Sequence, residues 1–212
     1  MVDPVDHTVV RDPGMLTRVV DTLLPTDFGE FLLRAYLENG SAHPHLALIQ
    51  GVVEGLDAPL VRIHSECMTG DVFSSQRCDC GIQLEVSLQT INLEGSGVLI
   101  YLRQEGRGIG LLNKLRAYCL QDSGLDTVEA NLHLGFRADQ RDYSAAVAIL
   151  EDLGVNTIRL LTNNPAKVAA FERSSIRVDA RVPLVVPVTE HNRRYLATKR
   201  LRLGHLIEDV GE

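Results

Sequence analysis

Residues 62–84 read RIHSECMTGDVFSSQRCDCGIQL, and this stretch holds three of the four cysteines of the 212-residue chain. Cys67, Cys78 and Cys80 are spaced C-x10-C-x-C. A structural zinc site usually has four protein ligands, whereas a catalytic zinc site has three and leaves the fourth position to water. The spacing therefore predicts a catalytic metal site on these thiols. The alternative is three buried free thiols that act as small apolar side chains.

The polar neighbours of the cysteines favour the metal site. Arg62, His64 and Glu66 alternate along a predicted strand, and this period of two brings their side chains to one face. A segment this polar is costly to bury without a function. His64 could still be only a hydrogen-bonded histidine beside the site. Cys119, which stands alone in a helical pattern, is expected to be a small core residue.

Composition and charge indicate one folded domain with a small anionic partner. The chain is 45% hydrophobic and 23% charged, and we predict a single domain at residues 15–207 between a flexible N-terminal tail, 1–14, and a C-terminal tail, 208–212. The net charge of −7 argues against nucleic-acid binding. No signal peptide or membrane-length apolar run is evident, so we expect a cytoplasmic protein without membrane contact. The arginines clustered within 103–141 favour phosphate binding.

The order of predicted elements gives an α/β (α+β) fold, with a mixed sheet, an antiparallel N-terminal β portion and flanking helices. Four antiparallel strands are predicted from Thr17 to Glu66. A helix that ends at Gly95 and a strand at 97–102 follow. A helix at 111–124 and an active-site loop at 127–143 come next. They are followed by a helix at 143–154, a strand at 156–162 and a helix at 163–172 with Pro165 at its first position. The last predicted elements are a proline-interrupted strand at 181–188 and a helix at 190–205.

A glycine-rich loop, RQEGRGIG, joins the strand at 97–102 to the next helix. Strand, glycine-rich loop and helix in this order bring backbone N–H groups and a helix N-terminus to one point, which favours an anion. Gly106, Gly108 and Gly110 alternate, so neither G-x-G-x-x-G nor G-x4-G-K-[ST] is matched. A plain tight turn is therefore an equal alternative for this loop.

Five motifs, in order, closely resemble GTP cyclohydrolase II, the enzyme family that opens the guanine ring of GTP at the entry to riboflavin synthesis. They are the cysteine stretch, RQEGRGIGLLNK, DTVEAN, GF-x-AD-x-RDY and LLTNNP-x-K, and the resemblance covers residues 20–207. It implies zinc-dependent hydrolysis of GTP with release of formate and pyrophosphate, which gives 2,5-diamino-6-(5-phosphoribosylamino)pyrimidin-4(3H)-one. It also implies a monofunctional enzyme that forms a homodimer.

The resemblance also implies the roles of individual residues. Cys67, Cys78 and Cys80 would bind one zinc ion per chain, and Mg²⁺ would accompany the GTP phosphates. The catalytic residues would be Asp139 as proton acceptor, Arg141 and Tyr118. Arg141 would be a nucleophile toward the α-phosphate or, because a guanidinium stays protonated, an electrostatic clamp. The implied GTP contacts are Arg62, Ile63, His64, Ser65, Glu66, Gln83, Glu105, Gly106, Arg107, Thr127, Thr162 and Lys167.

Two other functions compete with this one. His64-Ser65-Glu66 matches the H-x-E half of the zinc nucleobase-deaminase signature, but C-D-C stands where P-C-x-x-C is needed. A non-catalytic, zinc-stabilised GTP-binding module would need only the metal and the phosphate loop. That module does not explain Asp139, Arg141 and Tyr118 together, so the cyclohydrolase is the preferred hypothesis.

Overall fold

A computed structural model describes residues 16–207, so the predicted tails at 1–14 and 208–212 lie outside the described residues. The strands are β1 Leu16–Thr26, β2 Gly29–Glu38, β3 His45–Gln50, β4 Leu60–Ser65, β5 Gly97–Leu102, β6 Thr157–Leu161 and β7 Arg177–Val182. The helices are α1 Met68–Asp71, α2 Cys80–Glu94, α3 Gly110–Asp122, α4 Thr127–His133, α5 Ser144–Asp152, α6 Pro165–Ala169 and α7 Arg193–Leu203, with a 3-10 turn at Glu105–Gly108.

The strands form one seven-stranded mixed sheet in the order β1-β2-β3-β5-β4-β6-β7, which confirms the predicted α/β class. β1, β2, β3 and β5 pair antiparallel. The prediction of a fourth antiparallel strand is wrong, because β4 runs parallel to β5 and β6. The chain returns from β4 to β5 through α2, and a crossover helix between neighbouring strands makes them parallel.

Two apolar cores lie on opposite faces of the sheet. On one face, α5 packs Ile149 against Ile63 and Ile100 of the central strands. On the other face, α2 packs Ile91 against Leu60. Strands buried on both faces read as continuous apolar runs, which explains the sequence of β5.

In β4, apolar and polar side chains alternate between the two faces of the sheet. Val61 and Ile63 point into the α5 core, so Arg62 and His64 face the α2 side of the sheet. The strand therefore delivers two buried polar side chains to the end of the sheet at which the cysteines begin.

Helix ends follow the predicted signals. Gly95, at the end of α2, and Gly154, after α5, both have left-handed φ angles, of 76° and 68°, a conformation that glycine adopts without strain. Asn164 caps α6 through a bond from Ala166 N, and Pro165 occupies the first helical position. Among residues 16–207, no helix combines the length and apolar character that crossing a bilayer requires.

Three further predictions are wrong. The segment 127–143 begins as helix α4 rather than as a loop, because Asp126 and Glu129 form a reciprocal capping box. The last strand is Arg177–Val182, and no strand is assigned at 183–188, where Pro183 and Pro187 lack the N–H that a sheet ladder needs. Cys119 is an exposed residue of α3, since α3 turns that face to solvent.

Candidate active site

Three cysteines from separate positions of the chain converge at the end of β4. Cys67 directly precedes α1, while Cys78 and Cys80 form the turn that starts α2. Their Sγ atoms all lie within 4.8 Å of one another, and those of Cys67 and Cys78 are 3.6 Å apart. Two thiolates on one tetrahedral zinc ion lie about 3.8 Å apart, given a Zn–S distance of about 2.3 Å. The thiol geometry therefore fits a three-cysteine zinc site.

Two glycines make room for this convergence. A Cβ on Gly70 would lie 3.0 Å from Cys78 Sγ and 3.1 Å from Cys67 Sγ. A Cβ on Gly81 would lie 2.4 Å from the carbonyl oxygen of Gly70. No side chain fits at either position without displacing its neighbours, so the glycines allow α1 and the start of α2 to approach closely around the thiols.

A buried lysine neutralises part of the charge of the thiol cluster. Lys114 Nζ donates to Cys67 Sγ at 3.1 Å and to Glu105 Oε1 at 2.8 Å. The pKa of the Cys67 thiol is well below its usual value because Cys78 and Cys80 hydrogen-bond to its sulfur and the Lys114 ammonium lies beside it. The Lys114 ammonium thus favours the thiolate form, which is the form that binds a metal.

A second carboxylate holds the backbone next to the thiols. Asp71 accepts hydrogen bonds from Cys67 N at 2.9 Å and from the Tyr101 hydroxyl at 2.8 Å. His64 Nε2 lies 3.0 Å from the same carboxylate. Burial lowers the pKa of His64, which favours the neutral ring. His64 therefore belongs to a buried network that supports Cys67.

Buried cations lie around the same cleft. Arg62 donates to Gln83 Oε1 at 2.8 Å and to the carbonyl of Leu161 at 3.1 Å. Lys167 donates to the carbonyl of Ile63 at 2.6 Å. Burial, together with Arg62 and Arg141, lowers the pKa of Lys167 well below its usual value. Burial also lowers the pKa of Arg62 to about 10. The positive charges of Arg62, Arg141 and Lys167 are buried and repel one another, and a bound anion would offset both effects.

Arg141 is paired with Asp139. The Arg141 guanidinium donates to the two carboxylate oxygens of Asp139 at 2.9 Å and 2.5 Å. Burial lowers the pKa of Arg141, but the bonds to Asp139 outweigh this and raise it above its ordinary value. Arg141 lines the cleft and Asp139 does not. The arrangement therefore presents a fixed, protonated guanidinium, with Asp139 behind it.

The glycine-rich loop has an unusual backbone next to these groups. Gly106 and Arg107 adopt consecutive left-handed conformations, with φ of 63° at both. That conformation is rare for a residue with a side chain, and such strain persists where the surrounding structure enforces it. The carbonyl of Arg107 accepts from Gln140 N at 3.1 Å, which ties the loop to the segment that bears Arg141.

Tyr118 lies on α3, one helical turn after Lys114. Its hydroxyl is 3.2 Å from Thr69 Oγ1, and Thr69 Oγ1 is in turn 3.8 Å from Cys67 Sγ. The guanidinium carbon of Arg77 lies 4.9 Å from the centre of the Tyr118 ring. These contacts place the phenol at the edge of the thiol cluster.

The structure brings nearly all the predicted site residues to this cleft. The two predicted residues that do not line it are Ile63 and Asp139. Ile63 points into the opposite core and contributes only its carbonyl, which Lys167 contacts. The predicted residues that do line the cleft are Arg62, His64, Ser65, Glu66, Cys67, Cys78, Cys80, Gln83, Glu105, Gly106, Arg107, Tyr118, Thr127, Arg141, Thr162 and Lys167.

Sequence reasoning missed several polar residues of the cleft. Lys114 could have been found, since it precedes Tyr118 by four positions on one helix. Lys199 and His205 carry no local motif. Burial, together with nearby cations, lowers the pKa of His205 to about 3. The polar lining residues without a predicted role are Arg77, Lys114, Gln121, Asn131, Asn163, Asn164, Tyr195, Lys199 and His205.

The sequence matches the family model of GTP cyclohydrolase II over residues 17–183. This chain belongs to the GTP cyclohydrolase II family. It is 56% identical over 189 residues to GTP cyclohydrolase-2 of Azotobacter vinelandii, a match that covers 89% of this chain and 91% of the relative. It is 55% identical over 193 residues to the riboflavin biosynthesis protein RibBA of Bacillus mycoides, which covers 91% of this chain and 49% of RibBA. The chain thus spans about half the length of its RibBA relatives.

One solved structure is a weaker match. The crystal structure of RibBX, a two-domain 3,4-dihydroxy-2-butanone 4-phosphate synthase from A. baumannii, is 21% identical at a TM-score of 0.43. That match covers 78% of this chain and 40% of RibBX. The family model itself ends at residue 183, ten residues before α7 begins.

Proposed function

We propose that this protein hydrolyses GTP to formate, pyrophosphate and 2,5-diamino-6-(5-phosphoribosylamino)pyrimidin-4(3H)-one, the first step of riboflavin biosynthesis. The observation that carries the proposal is one cleft lined both by three convergent thiols and by a cluster of buried cations. A metal site and an anion site in one cleft suit a substrate with a reactive ring at one end and phosphates at the other. Membership of the family supports the same reaction.

Cys67, Cys78 and Cys80 would hold one zinc ion per chain. Zinc on three protein ligands supplies Lewis-acid chemistry and acidifies water. The chain's own residues prepare this site: Lys114 offsets part of the negative charge of the thiolates, and Asp71 holds the backbone of Cys67. Tyr118, whose hydroxyl contacts Thr69 at the edge of the thiol cluster, would donate or accept a proton at the guanine ring during the step that releases formate.

The phosphates would bind at the cationic part of the cleft, together with Mg²⁺. Arg107, Arg141 and Lys167 are the groups that would stabilise charge on the phosphate oxygens. Asp139 keeps Arg141 protonated, which favours the clamp over the nucleophile for this residue. The remaining GTP contacts would be Arg62, the carbonyl of Ile63, His64, Ser65, Glu66, Gln83, Glu105, Gly106, Thr127 and Thr162.

The protein would act as a homodimer in the cytoplasm. β1 is an edge strand of the sheet, and it exposes Val19, Val20 and Leu23. An exposed apolar edge strand is a surface that proteins generally cover, and a second copy of the chain would cover this one. Sedimentation equilibrium of the purified protein tests the dimer.

Incubation with GTP and Mg²⁺, with formate, pyrophosphate and the pyrimidine measured together, tests the reaction. We expect all three products, about one zinc per chain, and loss of formate release in Cys78→Ser because that variant lacks one thiol ligand. Ammonia in place of formate would favour the deaminase. GTP binding without turnover would favour a non-catalytic module, and full formate production by metal-free protein would refute the zinc chemistry.

A further inference from the structure

The C-terminal helix contacts the turn that carries two of the three thiols. Lys199, on α7, places Nζ 2.5 Å from Asp79 Oδ1. Asp79 lies between Cys78 and Cys80, and the two partners are only 1% (Asp79) and 7% (Lys199) exposed. A buried ion pair holds its partners in a defined geometry. The contact therefore connects α7 directly to the turn that presents the metal-binding thiols.

The Asp79 side chain binds Lys199 and does not cap helix α2. Asp79 is the N-cap residue of α2, where an aspartate normally accepts a hydrogen bond from the backbone of the first helical turn. Its side chain makes no such bond. Its carboxylate instead accepts from Lys199 and, at 2.5 Å, from Gln83 Nε2. The carboxylate of Asp79 is therefore used for the ion pair with α7 and leaves the start of α2 without a side-chain cap.

The rest of α7 is seated over the same cleft. The Tyr195 ring lies 4.6 Å from Lys199 Nζ and 6.0 Å from the guanidinium carbon of Arg107. Leu196 is fully buried. Beyond the helix, Leu206 N donates to the carbonyl of Asn163 at 2.8 Å, and this places His205 on the cleft wall. α7 and the residues that follow it therefore extend from the thiol turn to the loops that bear Arg107 and Asn163.

We propose that α7 is part of the active site and that Lys199 is a positioning residue, which holds the Cys78–Asp79–Cys80 turn in its metal-binding geometry. The inference rests on the zinc site of the proposed function. Without Lys199, the turn loses its tether and Asp79 is left as an unpaired buried charge. Loss of such an outer partner typically weakens metal binding or activity by about 10- to 100-fold.

The test compares Lys199→Met, Lys199→Arg and, as a control on the same helix, Arg200→Met, whose side chain is exposed. Three properties are measured on the zinc-loaded 212-residue chain: the rate of zinc transfer to a chromogenic chelator, the kinetic constants kcat and KM for GTP, and thermal unfolding. We expect Lys199→Met to release zinc about 10- to 100-fold faster and to lose kcat. Lys199→Arg should recover part of both, and Arg200→Met should match the wild type.

A contrary pattern would overturn the inference. If Lys199 only contacted substrate, Lys199→Met would raise KM and leave zinc release unchanged. If Lys199→Met does not fold, the double variant Asp79→Asn/Lys199→Met removes both charges and so avoids the unpaired carboxylate. We expect the folded double variant still to release zinc faster, and wild-type zinc retention in it would refute the positioning role.

The same experiment separates this inference from the proposed function. A wild-type protein that binds zinc but forms no formate would refute the proposed reaction, while the comparison of zinc release among the variants would stand. An active enzyme in which Lys199→Met keeps its zinc as the wild type does would refute the positioning role alone.

Discussion

Replacing Gly70 with alanine would place a methyl group among the three thiols. The added Cβ would lie 3.0 Å from Cys78 Sγ, 3.1 Å from Cys67 Sγ and 3.1 Å from Cys80 Cβ. Non-bonded atoms of this kind prefer separations of about 3.5–4.0 Å, so the overlap is roughly 0.5 Å with each. The thiols would have to move apart from the positions in which they can share one metal ion.

The backbone at Gly70 would not resist this substitution. Gly70 lies in α1, and its φ is not in the left-handed region, so alanine there is favoured by about 1 kcal/mol of helix propensity. Overpacking typically costs about 1–3 kcal/mol. At about 1.4 kcal/mol for each factor of ten, we expect zinc affinity to fall by about 5- to 150-fold. In the metal-free protein the thiols of Cys67 and Cys78 can turn away, and the helix-propensity gain offsets the remaining contact with Cys80 Cβ. Its unfolding free energy should therefore change by less than about 1 kcal/mol.

Competition with a chelator of known zinc affinity measures the zinc affinity of the variant. Urea unfolding of the metal-free protein measures its unfolding free energy. Comparing the zinc-loaded and metal-free forms makes the variant its own control, because the helix-propensity gain is common to both. A Gly70→Ala protein with wild-type zinc affinity and increased stability would show that the methyl group fits, and would refute the argument from the thiol geometry.

Three further predictions concern the reaction and the binding of GTP. Tyr118→Phe should slow formate release by about 100-fold or more and accumulate a formyl-bearing pyrimidine while pyrophosphate release continues; formate and pyrophosphate at wild-type rates would exclude a role for the hydroxyl. Arg141→Ala should slow pyrophosphate release by about 100-fold or more, whereas Cys80→Ser should retain that release. A wild-type rate of pyrophosphate release in Arg141→Ala would contradict both roles considered for Arg141. The pKa of Lys167 lies well below its usual value in the free protein, and bound phosphates should raise this pKa. At a pH between the pKa of Lys167 in the free protein and that in the complex, binding of a non-hydrolysable GTP analogue should therefore take up protons. Titration calorimetry in two buffers of different ionisation enthalpy measures this uptake, Lys167→Met should reduce it, and binding without proton uptake would contradict the prediction.

The sequence by itself determined the features that depend on neighbours along the chain. The C-x10-C-x-C spacing predicted the thiol cluster because two of its members share one turn. The period of two in β4 placed Arg62 and His64 on one face and Ile63 on the other. Gly95 and Pro165 marked helix ends because their own backbone preferences act there, whatever the rest of the fold does.

Only the tertiary structure decided the features that depend on how distant segments pack. The direction of β4 follows from its crossover connection, which the residues of a strand do not encode. Lys114 meets Cys67 across 47 positions of the chain, and Lys199 meets Asp79 across 120. Lys199 lies in an ordinary helical pattern whose residues carry no sign of a partner. For Lys114, the four-residue spacing to Tyr118 indicates a shared helix face but not the contact with Cys67. Both lysines become part of the site only because packing buries them against the thiol cluster, where a lysine must find a negative charge.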